Sequence, residues 1–347
     1  MARILLASWA LVIMLAASPL AAVAQERPTP TPTTVARATP RPVPTATPTP
    51  RPLRPGRLWP SPDPALAQEH FWLARPFAPP AEDDIEYWYP YGSTGGGRYL
   101  IHHGVDIGNP LGTPVLSVAP GRVIVAGEDL TTTYGLTPNF YGRLVIVELN
   151  RRLDDRPVYV LYGHLQTIAV QVGQEVRTGD RIGTVGMTGI ALGPHLHLEV
   201  RVGSNTYDAA RNPDLWLRPF PQQGLIAGRL VDEKGCTWPE ARIVIYKAER
   251  RDRIWRELYT YVDDPGISPD DAWGENFTIP DLLAGTYILE TKIGDRYETR
   301  EVTVKPGEIA FVLWQVPAAA SAFPPVAPPP TPRPTYPPPM RPPLPML

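Results

Sequence analysis

The chain is poor in cysteine: Cys236 is the only one among 347 residues. A lone thiol excludes an internal disulfide framework, and its place in a Gly-flanked segment suits a small turn residue. Charge imbalance is also missing. The formal net charge is −2, so no strongly basic surface points to nucleic acid. Lysine is scarce throughout, and the Gly-rich turn Gly186-Met187-Thr188-Gly189 has none. That argues against a biotinyl- or lipoyl-type carrier hairpin, which needs a modifiable lysine at its tip. After the N-terminus no apolar run is long enough to cross a bilayer. No long stretch shows helical periodicity either.

Proline is abundant instead, at 46 residues concentrated toward the two ends. Met1-Ala2-Arg3 precedes an apolar run to Ala17, and Ser18-Pro19 and Ala22-Val23-Ala24 follow. This is the layout of a signal peptide cut after Ala24, residues 1–24, with an uncleaved anchor as the alternative. Either way the remainder is expected outside the cytoplasm, secreted or in the cell envelope. Residues 25–66 read as a Pro/Thr/Arg-rich disordered linker. Its arginines from Arg27 to Arg57 have no carboxylate between them, and a polyproline II spacer of this length reaches on the order of 100 Å. Residues 317–347 repeat the composition and read as a disordered tail.

Between these ends the pattern is all-β. From Tyr99 to Phe220, short runs such as 114–118, 122–126, 144–149 and 158–162 alternate with Gly and Pro. A lead-in carries Phe71, Trp72, Phe77, Tyr87, Trp88, Tyr89 and Tyr91; packing on the core is the first expectation for it, a substrate-cleft wall the second. From Gly224 to Val316, runs at 225–231, 242–246, 275–279, 285–292 and 297–304 predict a second β unit. Its acidic stretch, Asp263-Asp264 to Asp270-Asp271, lacks the ordered spacing of a calcium loop and is expected to be plain surface.

Histidine placement carries the chemistry. Five of the six histidines, His102, His103, His164, His195 and His197, fall in the first β unit. In the extended run Gly193-Pro194-His195-Leu196-His197-Leu198-Glu199-Val200, alternate side chains share a face, so His195 and His197 point together and the leucines point to the core. In His102-His103-Gly104-Val105-Asp106, His102 and Asp106 share a face, Gly104 leaves room between them, and His103 points away. One imidazole from the later pair added to His102 and Asp106 makes two His and one carboxylate. Three protein ligands with a fourth position for water suit catalytic zinc, which lowers the pKa of that water to about 7. Non-haem iron uses the same set, but ferrous iron is hard to keep outside a cell. His164 and the unligated member of the pair remain to orient the water and stabilise an oxyanion.

His102-x-Gly104-x-Asp106, Tyr162-Gly163-His164 and Gly193-Pro194-His195-Leu196-His197, in this order, resemble the motifs of the M23 peptidases, the lysostaphin-type or LytM-like zinc endopeptidases. The resemblance covers about Tyr99 to Val202. It implies an M23 β-sheet core, residues 67–222, with one Zn2+ per chain held by His102, Asp106 and His197. It further implies that His164 and His195 flank the metal-bound water, and that the substrates are peptide bonds of peptidoglycan, in stems or cross-bridges. The alternative within the fold is a non-catalytic LytM-like regulator or wall-binding protein; such relatives typically lose ligands that this chain retains. Gly228–Gly235 and Phe277–Tyr287 are similar to carboxypeptidase-regulatory-like or prealbumin-like domains, which implies a Greek-key β-sandwich over 224–316. That resemblance implies no catalysis and leaves open a wall-polymer ligand or a bracing role.

Overall fold

The computed structural model describes residues 53–59 and 71–318. The expected signal peptide, most of the linker, His70 and the expected tail from 319 onward lie outside them. Among the described residues no helix is long and apolar enough to cross a membrane. The architecture is nearly all β, with two short 3-10 turns at Tyr207–Ala209 and Pro213–Leu215.

The larger N-terminal sheet contains β1 (Val105–Gly108), β3 (Gly121–Glu128), β4 (Arg143–Leu149), β5 (Val158–Gly163), β7 (Glu175–Val176), β9 (His195–Val202) and β10 (Ala210–Arg211). Their order is β1-β9-β5-β4-β3-β7, and β10 also pairs with β9. A second sheet of β2 (Pro114–Leu116), β6 (Leu165–Ile168) and β8 (Arg181–Val185) runs in the order β2-β8-β6. Val115, Leu165, Ile182 and Val185 of this small sheet share one core with Val105, Ile107, Val145, Val147, Leu196, Leu198 and Val200 of the large one. The two-residue period of a strand then sends His195, His197, Glu199 and Arg201 to the other face. Antiparallel pairing of β1 with β9 sets Asp106 opposite His197 and Gly108 opposite His195. Register alone therefore places a carboxylate beside an imidazole.

The C-terminal part builds two further sheets. One has the order β14-β11-β17, from β11 (Gln223–Val231), β14 (Phe277–Leu283) and β17 (Ile309–Gln315). The other has the order β13-β12-β15-β16, from β12 (Arg242–Lys247), β13 (Arg256–Tyr259), β15 (Gly285–Ile293) and β16 (Arg296–Val304). Ile226, Leu230, Phe277, Ile279 and Trp314 of the first bury against Ile243, Ile245, Leu258, Leu289 and Val302 of the second. β17 runs parallel to β11, and it and β13 were absent from the expected strands. The β17 alternation of buried Val312 and Trp314 around exposed Leu313 marks it as a half-buried strand.

Two stretches differ from expectation. Residues 53–59 fall within the stretch expected to stay solvated, yet Trp59 is buried and Leu58 bridges to Cys236. Arg57 donates to the carbonyls of Asp264 (2.6 Å) and Ile267 (2.5 Å). Composition predicts solvation, but one tryptophan supplies enough apolar area to dock the segment. The acidic stretch is not plain surface. Ile267, Asp270 and Trp273 are buried, and Ile267 packs in a cluster with Trp59, Tyr91, Ala210, Tyr261 and Val262.

That cluster joins the C-terminal sheets to the lead-in. The Val262 amide donates to the Gly92 carbonyl at 2.7 Å, and the Gly92 amide donates to the His102 carbonyl at 2.7 Å. The His102 amide donates in turn to the Ser93 carbonyl at 3.0 Å. Gly92 has φ of +72°, and a Cβ there would lie 2.6 Å from the Tyr261 ring, so both conformation and space call for glycine.

Candidate metal centre and groove

Three side chains converge where β1 and β9 meet. His102 Nε2 lies 3.1 Å from Asp106 Oδ1 and 3.2 Å from His197 Nδ1, and His197 Nδ1 lies 2.9 Å from Asp106 Oδ1. All three are buried, and their ligand atoms lie within 4.8 Å of one another. Gly104 makes the approach possible. A Cβ there would stand 2.4 Å from the Leu198 carbonyl oxygen and 2.9 Å from the His197 ring. The room it leaves is filled by that ring and the neighbouring strand.

The outer partners fix the tautomers. His102 Nδ1 faces the Tyr89 carbonyl at 2.7 Å. A carbonyl only accepts, so Nδ1 carries the proton and Nε2 presents a lone pair. His197 Nε2 faces Glu199 Oε1 at 3.1 Å. Burial opposes ionisation of Glu199, but the Arg201 guanidinium and the His197 ring outweigh it and hold its carboxyl at about 2. Glu199 therefore accepts, and His197 Nδ1 also presents a lone pair inward. Two lone pairs and a carboxylate oxygen facing one another repel unless a cation or a proton lies among them. Burial similarly disfavours the charge on Asp106, and His102 and His197 overcome it to hold the carboxyl well below the ordinary carboxylate range. Burial alone would keep the His197 ring neutral, but Asp106 and Glu199 push it up to about 9, so in the absence of a cation a proton takes the inward position on Nδ1, and a bound metal would replace it. The donor set therefore fits a divalent metal: two inward imidazole nitrogens and one ionised carboxylate, each braced from behind.

His195 and His164 border this centre. His195 Nε2 is 3.5 Å from Asp106 Oδ1, and its Nδ1 donates to the Gly193 carbonyl at 2.8 Å. His164 sits at the turn from β5 to β6 with φ of +59°, a conformation uncommon for residues other than glycine and often found at functional sites. Its Nδ1 donates to the Thr188 carbonyl at 2.8 Å. Burial, then the charges of His197 and His195, pushes the ring down to about 3, so it is neutral with a lone pair on Nε2. The His164 and His195 rings lie 4.8 Å apart. His103 is turned away, stacked on Tyr207 at 3.6 Å.

The sequence-predicted site residues His102, Asp106, His164, His195 and His197 thus lie together in one groove of about 610 Å³. The groove also includes Trp88, Tyr89 and Tyr99, with Phe140, Ile190 and Leu192 among its other lining residues. The lead-in aromatics therefore divide. Trp72 packs edge-on against Trp216 at 5.0 Å, whereas Tyr89 stacks on the His102 ring at 4.2 Å.

Residues not singled out from the sequence support the centre from behind. Glu199 and Arg201 are fully buried, and Arg201 Nε and Nη2 both donate to Glu199 Oε2 at 2.8 Å. The Tyr141 hydroxyl donates to Glu199 Oε1. The signal for Glu199 and Arg201 was present: they continue the two-residue alternation of His195 and His197.

Residues 100–209 match the family model described as Peptidase family M23. This segment belongs to peptidase family M23. The chain is similar to the peptidoglycan DD-endopeptidase ShyB of Vibrio cholerae, 36% identical over 115 residues, which is 33% of this chain and 24% of that protein. It is also similar to lysostaphin of Staphylococcus staphylolyticus, 31% identical over 162 residues, or 46% of this chain and 30% of that one. Among solved structures it resembles the catalytic domain of the antimicrobial peptidase lysostaphin from Staphylococcus simulans. That likeness is 32% identical with a TM-score of 0.30, and covers 38% of this chain and 88% of that one. The chain thus spans 24% and 30% of the length of these two curated relatives.

Proposed function

We propose that this chain is an exported zinc metalloendopeptidase that hydrolyses peptide bonds of peptidoglycan. One observation carries the reading: two imidazole lone pairs and the Asp106 carboxylate point at a common position, with both outer ring nitrogens already committed. His102 Nε2, Asp106 Oδ1 and His197 Nδ1 would hold one Zn2+ per chain. When bound, zinc acts as a Lewis acid and lowers the pKa of a coordinated water to about 7.

The other residues then have defined work. His195 keeps its proton on Nδ1 for the Gly193 carbonyl, so Nε2 can take a proton from the attacking water. His164 is arranged the same way against the Thr188 carbonyl, so its neutral ring would orient the attacking water through the Nε2 lone pair, and the proton that His195 takes up would pass to the leaving amine. The Tyr89, Tyr99 and Trp88 rings, with Ile190 and Leu192, exclude water from a bound peptide. The substrate class comes from the relatives, two of which are described as a peptidoglycan endopeptidase and as lysostaphin. We further read 67–222 as the peptidase unit and 224–316 as a non-catalytic carboxypeptidase-regulatory-like sandwich that braces it or holds a wall polymer.

The test is digestion of purified peptidoglycan of defined cross-bridge by the whole chain, with mass spectrometry of the fragments. Cleavage is expected, lost on chelation and restored by zinc. Intact muropeptides after treatment with zinc-loaded protein would overturn the reading.

A further inference from the structure

Glu86 is the charged groove residue for which the metal centre and its supports give no account. It lines the same groove, and its amide donates to the Asp106 carbonyl at 3.0 Å, which fixes it beside β1. Its Oε1 would lie 3.0 Å from a Cβ at Gly108, and Gly108 is paired with His195 in register. The carboxylate therefore reaches over bare backbone at the end of the strand pair that carries the catalytic histidines. Among the described residues no cation lies within ion-pair distance of Glu86. The other acid of the lining, Glu199, is matched by Arg201. Arg98, also in the groove, is turned to the Gly95 carbonyl at 2.6 Å and to the Tyr99 ring.

The surroundings of Glu86 are aromatic. The Trp88 ring, 41% exposed, lies 5.9 Å from Tyr89 and 5.7 Å from Tyr99. A half-buried carboxylate beside exposed ring faces is the chemistry that recognises an ammonium group, by charge-assisted hydrogen bonding and by the ring quadrupole. An anionic group placed there would repel the carboxylate, and a neutral one would leave its charge uncompensated. We propose that Glu86 and Trp88 form a subsite for a primary ammonium of the substrate, so that the enzyme prefers peptides carrying a free amine near the scissile bond. This deepens the peptidase reading and rests on it for its catalytic consequence.

The probe is a pair of cross-linked muropeptide samples, one native and one with its free amines acetylated. Cleavage is followed by chromatography, and equilibrium binding is measured with the zinc-loaded His195→Ala chain to suppress turnover. The native sample is expected to be cut with a kcat/KM about tenfold higher, the scale of a charge-assisted contact. Glu86→Gln should remove that preference through KM, with kcat and zinc content unchanged. Equal handling of the two samples by the parent chain overturns the proposal. So does a Glu86→Gln loss that is the same for both samples, or one that follows zinc loss, since Glu86 would then serve only to balance the metal. Binding preference without cleavage supports the subsite and overturns the peptidase reading, whereas neither preference nor cleavage overturns both.

Discussion

Glu199→Gln tests whether the buried carboxylate behind His197 serves the metal or only the fold. The wild-type side chain is fully buried and receives hydrogen bonds from His197 Nε2, the Tyr141 hydroxyl and two nitrogens of Arg201. Glutamine keeps the shape but lacks the charge, and one end of its amide must turn donors toward donors. Arg201 is then a buried cation without a counter-ion, which costs about 3–5 kcal/mol. His197 loses the acceptor that fixes its tautomer, which should weaken metal binding by about 10- to 100-fold. The two effects separate in a double variant. Glu199→Gln with Arg201→Met removes the stranded charge, so most of the lost stability should return while metal affinity stays low. Urea unfolding of metal-free protein reads the first quantity, and competition against a chromophoric zinc chelator reads the second. Recovery of metal affinity in the double variant would refute the argument, because Glu199 would then act only by neutralising Arg201.

His197→Ala should lose both zinc and turnover, whereas His195→Ala should keep most of its zinc and lose about 100-fold or more in kcat/KM; equal zinc loss in the two would mean the ligand is wrongly assigned. Gly104→Ala should destabilise the chain by about 1–3 kcal/mol and lower zinc affinity, because its methyl meets both the Leu198 carbonyl and the His197 ring; an unchanged melting temperature and zinc titration would contradict this. Burial pushes Asp214 up to about 7, and burial followed by the charge of Asp270 pushes Glu275 up to about 8. Both folded-state values exceed the unfolded ones, so the stability they carry is complete below about pH 4 and is lost as pH rises through 7 to 8. Each contributes at most on the order of 4–5 kcal/mol. The melting temperature of metal-free protein should therefore fall between pH 6 and pH 9, and Asp214→Asn should flatten the fall; a rise over that range would overturn the assignment.

The candidate metal centre, His102 with Asp106 and His197, was legible because its spacing is local. His102 and Asp106 share one extended run, His195 and His197 share one strand, and a two-residue period needs no knowledge of the rest of the chain. Glu199 and Arg201 obeyed the same rule and were legible in principle, but their neighbours look like an ordinary strand end. The brace was not legible. Tyr91 and Tyr261 are far apart in sequence, and nothing local says that Val262 will donate to Gly92. The acidic stretch was misread for a related reason. Its charges suggest solvent, while burial of Ile267 and Trp273 and the hydrogen bonds from Arg57 depend on partners elsewhere. The residues around Trp59 were likewise judged by composition, which averages away one large ring.

The relay of amides from Val262 through Gly92 to His102 sets the smallest piece of this chain that should work. A fragment that keeps the lead-in but ends before the C-terminal sheets would leave Tyr91 and Gly92 facing water where Tyr261 now stands, and the loop that carries the first imidazole would lose that backing. Dissection of this protein should therefore start from the intact C-terminus, with any wall-binding role of those sheets sought on the faces turned away from Tyr91.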